Sequence, residues 1–468
     1  MARSIFRAQG PTESRQRSAH RRVIALSIAT TLTGCVSYEP APVDLAEILR
    51  DLEALQWTPS EIAGSSDAVG ATPERLAAFA VTHNPSLRAV RSDIDVAEAL
   101  LVEAGLLADP GIGWDGMDAL ASQIVDNTAT SVDFLSGFGL SITIPRPGEL
   151  DAKEGAARWR AEEVRRRVTR AEWTLARDVF VACEDVLEAE RLLAQNQTLV
   201  QVAETTRDYF ERARGAGAAT AIQDNLASGD LLAIRAERIR LESRLRKARH
   251  RLNALLGLPP SLLVPIVPTS EHGTAPNDAS FEPEALVERS LSLRPDLAEL
   301  LAAYQAAEER VRIEVARQFP RLSIGTGIWL VPGFFSDFNR PAIETARARR
   351  EALRRKVAAR LHEARREIHD AHAAVEESRR ELGFLQAELL PNAEESRRLI
   401  GEAFDEGEVT LLEILSVHRD LVRARTRTTE VRAELERRRW RLAAASGTLF
   451  AALGQETNED EENESTIR

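Results

Sequence analysis

Sulfur and aromatic rings are scarce in this chain. Two cysteines and two methionines occur in 468 residues, and Phe, Trp and Tyr together reach only 5%. One cysteine, Cys35, closes a leader-like segment, so no intrachain disulfide is expected of the mature protein. The other, Cys183, falls on an apolar helix face and reads as a small buried hydrophobe. Few aromatics, 29% charged residues and abundant Ala, Leu, Glu and Arg argue against a thick globular core and for long helices. Proline is missing throughout Leu150–Leu256, so nothing there need break a helix. The net charge of −12 gives no reason to expect a nucleic-acid partner. There is no nucleophile motif, phosphate loop or Cys/His zinc spacing, so neither enzymatic activity nor a cofactor is expected.

The first 34 residues read as a signal peptide. Arg21-Arg22 precede the apolar run Val23–Leu32, which is too short for a spanning helix. The run ends in Leu32-Thr33-Gly34-Cys35, which resembles a bacterial lipobox. Cleavage before Cys35 and lipidation of its thiol (palmitate) are then expected, with residues 35–71 as a Pro/Gly/Ser-bearing tether. At the other end, 454–468 read as a disordered acidic tail.

Between these ends the chain says nearly the same thing twice. Asn84-Pro85-Ser86-Leu87, Ala97-Glu98 and Asp109-Pro110 lie 210 residues before Arg294-Pro295-Asp296-Leu297, Ala307-Glu308 and Phe319-Pro320. Gly217/Gly407, Thr220/Thr410, Leu231/Leu421, Leu252/Leu442 and Gly257/Gly447 are echoes 190 apart. Length alone would suggest about three domains. The duplication argues instead for one object of two halves, 72–258 and 284–453, joined by a linker at 259–283.

Each half has the same plan. Thr72-Pro73-Glu74 starts a helix that runs to about Leu107, with Asn84-Pro85 a candidate break. After Pro110 come Ile112 and Trp114, a polar loop, and then Val132–Ile144, with apolar residues on one side and small or polar ones on the other. That alternation suits a membrane-barrel strand, and equally a strand of a soluble sandwich. Val164, Val168, Ala171, Leu175, Val179, Ala182 and Val186 then begin a coiled-coil-like seam. Gly215-Ala216-Gly217 turns the chain, and a second helix closes at Gly257. In the second half Leu322, Ile324, Thr326, Ile328 and Leu330 form one face of a strand. Leu353, Val357, Leu361, Ala364, Ile368, Ala371 and Val375 open the next seam. Pro391 is expected to kink its helix without ending it, and Gly407 to turn it. A helix of about 65 residues reaches roughly 100 Å. The helices before the strands and after the glycine turn, laid end to end, should match it. A lone chain so built is expected to lack a proper core and to need neighbours along its seams and strand edges.

These features resemble the TolC-like outer-membrane efflux protein family over nearly all of the expected mature chain. The residues that carry the likeness are Arg294-Pro295-Asp296-Leu297, Ala307-Glu308, Phe319-Pro320-Arg321-Leu322 and Glu406–Leu415. Asp337-Phe338-Asn339-Arg340-Pro341-Ala342-Ile343 is most similar to the heavy-metal efflux branch. The resemblance implies a mainly α fold with a small β part. Long coiled-coil-like hairpins in two tandem repeats would form, in a homotrimer, a periplasmic α-barrel below an outer-membrane β-barrel. It implies a passive export duct, lipid-anchored in the outer membrane, docking a periplasmic adaptor and an inner-membrane pump at the glycine turns. The same fold would serve type I protein secretion. A non-conducting lipid-anchored scaffold is the other reading, for one departure from the family pattern. The two repeat offsets differ by 20, and the missing residues lie between Pro320 and about Pro341. Leu322–Val331 has room for one membrane strand of about 9–11 residues, but Gly333–Arg340 makes a poor second.

The resemblance places Glu413 where acidic residues narrow the tunnel, so a trimer would ring the axis with three carboxylates; a solvent-facing helical Glu is the plainer reading. Ser416 stands where a second acid is often found. Gly217, Thr220, Gly407 and Thr410 become adaptor-contact candidates, although glycine is needed simply to reverse the chain and threonine suits a helix cap. His362, His369 and His372, with Glu376, share a helix face as a metal-ligand candidate or as ordinary exposed histidines. The arginine clusters Arg158–Arg170 and Arg347–Arg366 suit either anionic headgroups or a solvated face.

Overall fold

The computed structural model describes residues 38–54, 70–107, 109–114, 138–267, 281–324, 328–331, 338–405 and 409–450. The expected signal peptide, Cys35, Gly407 and the acidic tail lie outside these residues. The chain divides at Gln56/Trp57. In the first unit, helix α1 (Leu45–Ala54) is capped by Asp44, whose Oδ1 accepts from the Ala46 N–H at 2.8 Å.

The second unit is built from four helical rods. Helices α2 (Pro73–His83) and α3 (Pro85–Ala104) precede strands β1 (Gly111–Trp114) and β2 (Phe138–Ile144). The 67-residue α4 (Glu149–Gly215) and α5 (Ala221–Leu256) follow. The second repeat is α6 (Pro283–Leu293), α7 (Pro295–Ala316), β3 (Arg321–Ile324), β4 (Ile328–Val331), α8 (Arg340–Phe384), α9 (Leu390–Asp405) and α10 (Leu411–Ser446). Between α8 and α9 one π-helical turn, Leu385–Leu389, sits just ahead of Pro391. Proline cannot donate to the i−4 carbonyl, and the widened turn absorbs that defect, so the helix continues as expected.

The rods lie side by side. Near the strands the order is α3–α4–α7–α8; towards the glycine turns it is α5–α4–α10, with α8 and α9 on the far side of α10. The sheet repeats the arrangement in small. Its four strands are antiparallel in the order β1-β2-β3-β4, with β2 and β3 joining the halves through Ile142↔Ile324 and Ile144↔Leu322. Ile142 and Ile144 are exposed while Ser141 and Thr143 are less so, the alternation the sequence implied.

Two expectations are corrected and one candidate feature is realised. Leu322–Val331 is not one strand but an antiparallel pair, with Ile324 opposite Ile328. The candidate break at Asn84-Pro85 is present: Asn84 ends α2 with φ −60 and ψ 123, so only α3 continues towards the strands. α2 instead packs on α4 and α5. And the unit has a core of its own. Leu76, Phe79 and Ala80 of α2 meet Ala176, Phe180 and Cys183 of α4, Leu252 and Leu256 of α5, and Trp440 of α10. Phe180 and Trp440 stack at 3.7 Å between ring centroids. Cys183 is fully buried there, and burial pushes its thiol pKa up.

Candidate functional site: the helix turns and the faces of the rods

At the first turn α4 ends at Gly215, and Gly217 takes φ +76, which a side chain resists. The Ala218 N–H returns to the Ala213 carbonyl at 2.8 Å. Thr220 then opens α5 with reciprocal bonds. Its Oγ1 accepts from the Gln223 N–H at 3.3 Å, and Gln223 Oε1 accepts from the Thr220 N–H at 2.8 Å. Arg214 and Asp224 bridge the turn at 2.7 Å.

The second turn repeats this chemistry with a carboxylate. Thr410 Oγ1 accepts from the Glu413 N–H at 3.4 Å. Glu413 Oε2 accepts from the Thr410 N–H at 2.7 Å and from its hydroxyl at 2.8 Å. The backbone bond, then the hydroxyl, holds the Glu413 pKa below the usual range, so it is a carboxylate at neutral pH. The proposed ring residue is therefore also a helix cap. Gly407, outside the described residues, cannot be compared with Gly217. The two turns lean on one another: Phe210 and Ala227 pack with Leu411 and Leu415, Tyr209 meets Phe404 edge-on at 5.5 Å, and Arg419 pairs with Asp230 at 3.1 Å.

The histidine face does not gather a metal site. His362 is exposed, and His369 Nε2 lies 3.7 Å from Glu284 of α6. Glu376 is engaged by Arg379 at 2.7 Å. Among the described residues no three His, Cys, Asp or Glu side chains are placed to share a metal ion. The helical periodicity was sound; the neighbours on α6 and along α8 are what it could not reveal.

Two side-chain networks were missed by sequence reasoning. Arg294, fully buried, donates to Asp296 (Nε–Oδ1 3.1 Å, Nη2–Oδ2 2.8 Å), to Glu367 at 2.8 Å and to the Ala445 carbonyl at 2.8 Å. Arg360 meets the same two acids at 2.6 and 2.8 Å. Burial alone would raise the Asp296 pKa, but the two guanidiniums outweigh it and hold it low. The other network surrounds Glu184 on α4, which burial pushes up to about 7, with Glu436 of α10 adding repulsion.

Among the described residues two grooves each touch four helices. The upper, about 870 Å3, touches α3, α4, α7 and α8; the lower, about 300 Å3, touches α4, α5, α8 and α10. The rods at the rims of the layer are left with bare apolar residues, among them Ile222 (73% exposed) and Ile239 (67%) on α5, with Leu361 and Leu389 across on the α8–α9 rod. Among the described residues no helix is long and apolar enough to cross a membrane.

Residues 78–258 match the outer membrane efflux protein family. The chain is 26% identical over 451 residues to outer membrane protein OprJ of Pseudomonas aeruginosa, covering 85% of this chain and 89% of that one. Over these residues the chain is similar to the TolC-like outer-membrane efflux proteins. Its fold is likewise that of VceC from Vibrio cholerae (TM-score 0.65, 17% identity, 80% of this chain and 96% of that one). CusC, a structure concerned with folding and transmembrane channel formation, matches as well (TM-score 0.65, 16% identity, 88% and 99%).

Proposed function

We propose that this chain is the channel subunit of a tripartite efflux system, a passive duct seated in the outer membrane and reaching into the periplasm. The observation that carries the reading is the pair of open rims. Among the described residues a four-rod layer and a four-strand sheet, each in matching order, both end in unpaired edges, and the outer rods expose apolar seams. An edge of one kind on each side favours head-to-tail closure into a ring, which removes every sheet edge and buries the seams. The family resemblance favours three copies in that ring, a homotrimer. Its closed sheet would stand in the outer membrane, with lipidated Cys35 as a second anchor. The turns at Gly217, Thr220, Gly407 and Thr410 would meet the periplasmic adaptor, below an inner-membrane pump that supplies the energy. Glu413 would ring the narrow end.

The mass of the purified, detergent-solubilised protein and the drug or metal sensitivity of a deletion strain test this together. A trimer and a sensitivity restored by the intact gene are expected. A monodisperse monomer, or a deletion strain as resistant as its parent to every exported compound class, overturns it.

A further inference from the structure

The two grooves show which side of the layer faces inward. A groove that touches four neighbouring rods of one layer lies on its concave side, and a closed ring turns that side to the tunnel. The lower groove is electrically self-contained. Arg244 and Arg437 share Glu188 at 2.6 Å each, Arg438 meets Glu434 at 3.1 Å, and Arg427 is bound to Glu381. The upper groove is not. It holds Arg160, Arg167, Arg310 and Arg349 against Asp93 and Glu163. Arg167 is taken up by Glu163 and Glu299, and Arg310 by Glu314. Arg160 and Arg349 are exposed and take part in no ion pair among the described residues. Between these arginines the floor is apolar, with Val96, Leu100, Val164 and Leu353.

We infer that the upper tunnel is an anion-favouring section, fitted to cargo that joins an apolar body to a carboxylate, sulfonate or phosphate. The inference rests on the channel reading, because only closure of the ring makes the concave face a lumen. Each chain contributes its unpaired guanidiniums, so a ring of copies builds a positive band, the arrangement by which pores prefer anions. Guanidinium is a permanent cation with several donors, suited to oxyanions. The valine and leucine surface beside it takes up the apolar part. This band lies on the far side of the α4/α10 core from the Glu413 turn, so the two ends of the tunnel carry charge of opposite sign.

The test is ion selectivity of the full-length protein in planar bilayers under a potassium chloride gradient at low salt, where screening is weak. R160E/R349E is compared with wild type and with R354E/R355E. The latter makes the same charge change on α8 at positions 73% and 81% exposed that do not line the groove. The chloride-to-potassium permeability ratio should fall on the order of threefold in R160E/R349E and hold steady in R354E/R355E. Naphthalenesulfonate should block wild type at lower concentration than it blocks R160E/R349E. A conducting pore whose permeability ratio and block are the same in all three proteins overturns the anion band and leaves the channel standing. Folded trimers that carry no current overturn both.

Discussion

At the joint of the first repeat, Asn84 caps α3 through its Oδ1, 3.0 Å from the Leu87 N–H. Its Nδ2 donates across to the Leu255 carbonyl near the end of α5, at 2.8 Å. At the joint of the second, Arg294 occupies the matching place and donates to the Ala445 carbonyl near the end of α10, also at 2.8 Å. Both joints press on a left-handed glycine, Gly257 (φ +74) against Pro85 and Gly447 (φ +85) against Leu293. Duplication preserved the geometry, a side chain from one helix start satisfying a carbonyl of the abutting helix end, while the chemistry changed. Asn84 is neutral and self-sufficient. Arg294 brings a charge into the interior and needs Asp296, Glu367 and the face of Trp173, 5.6 Å away, to be tolerated there.

The comparison breaks most visibly on truncation. Arg294→Ala removes a buried guanidinium and leaves Asp296 and Glu367 to Arg360 alone, which should cost about 3–5 kcal/mol. Asn84→Ala forfeits a cap and one hydrogen bond between helices, about 1–2 kcal/mol. Urea unfolding of the purified proteins should therefore show a clearly larger midpoint shift for Arg294→Ala. Equal shifts would mean that the charged network adds nothing beyond the shared geometry.

How much of this was legible follows from the range of each signal. The duplication, the glycine turn at Gly217 and the threonine caps are local patterns, and each was read correctly from the chain. The aside taken by α2 was not, because Pro85 is as good a start for a new helix as it is a kink in an old one. The β3–β4 pair was hidden because alternation with period two looks the same through a single strand or around a tight reversal. In the sequence Arg294 reads only as part of the repeated Arg294-Pro295-Asp296-Leu297 motif. Asp296 two residues away hinted at its pairing, but Arg360, Glu367 and Ala445 are contributed by remote helices. The histidine face failed for the related reason that its ring neighbours, such as Glu284, lie on another element.

A second difference between the repeats titrates. Glu184 is buried in α4, where the position 190 residues on is Ala374. Burial, then Glu436, raises the Glu184 pKa from 4.5 to about 7; Arg191 and Arg437 offset this only in part, and Asp185 adds to it. The folded-state pKa lies above the unfolded one. Stability is therefore fully present below about pH 4.5 and declines as pH rises through about 7. The loss approaches roughly 3 kcal/mol once the group ionises in the fold. Glu184→Gln should remove most of this dependence, so that the variant unfolds at higher temperature than wild type at pH 8 and the two converge near pH 4. Parallel pH curves for the two proteins would place the titration elsewhere.

The smallest effect on stability is expected where the two repeats are most alike. Gln223 and Glu413 occupy matching positions, and each returns a side-chain oxygen to the N–H of its own capping threonine. The first repeat thus already shows that an amide performs the capping task. Glu413→Gln should leave thermal unfolding close to that of wild type, because the reciprocal bonds survive. The charge does not survive, and its loss isolates the role proposed for the ring. If three carboxylates set the narrow end of the tunnel, Glu413→Gln lowers the potassium-to-chloride permeability ratio while the fold is untouched. If Glu413 is only a cap, conductance and selectivity stay where Gln223 already suggests they can, and the acid is a matter of helix chemistry alone.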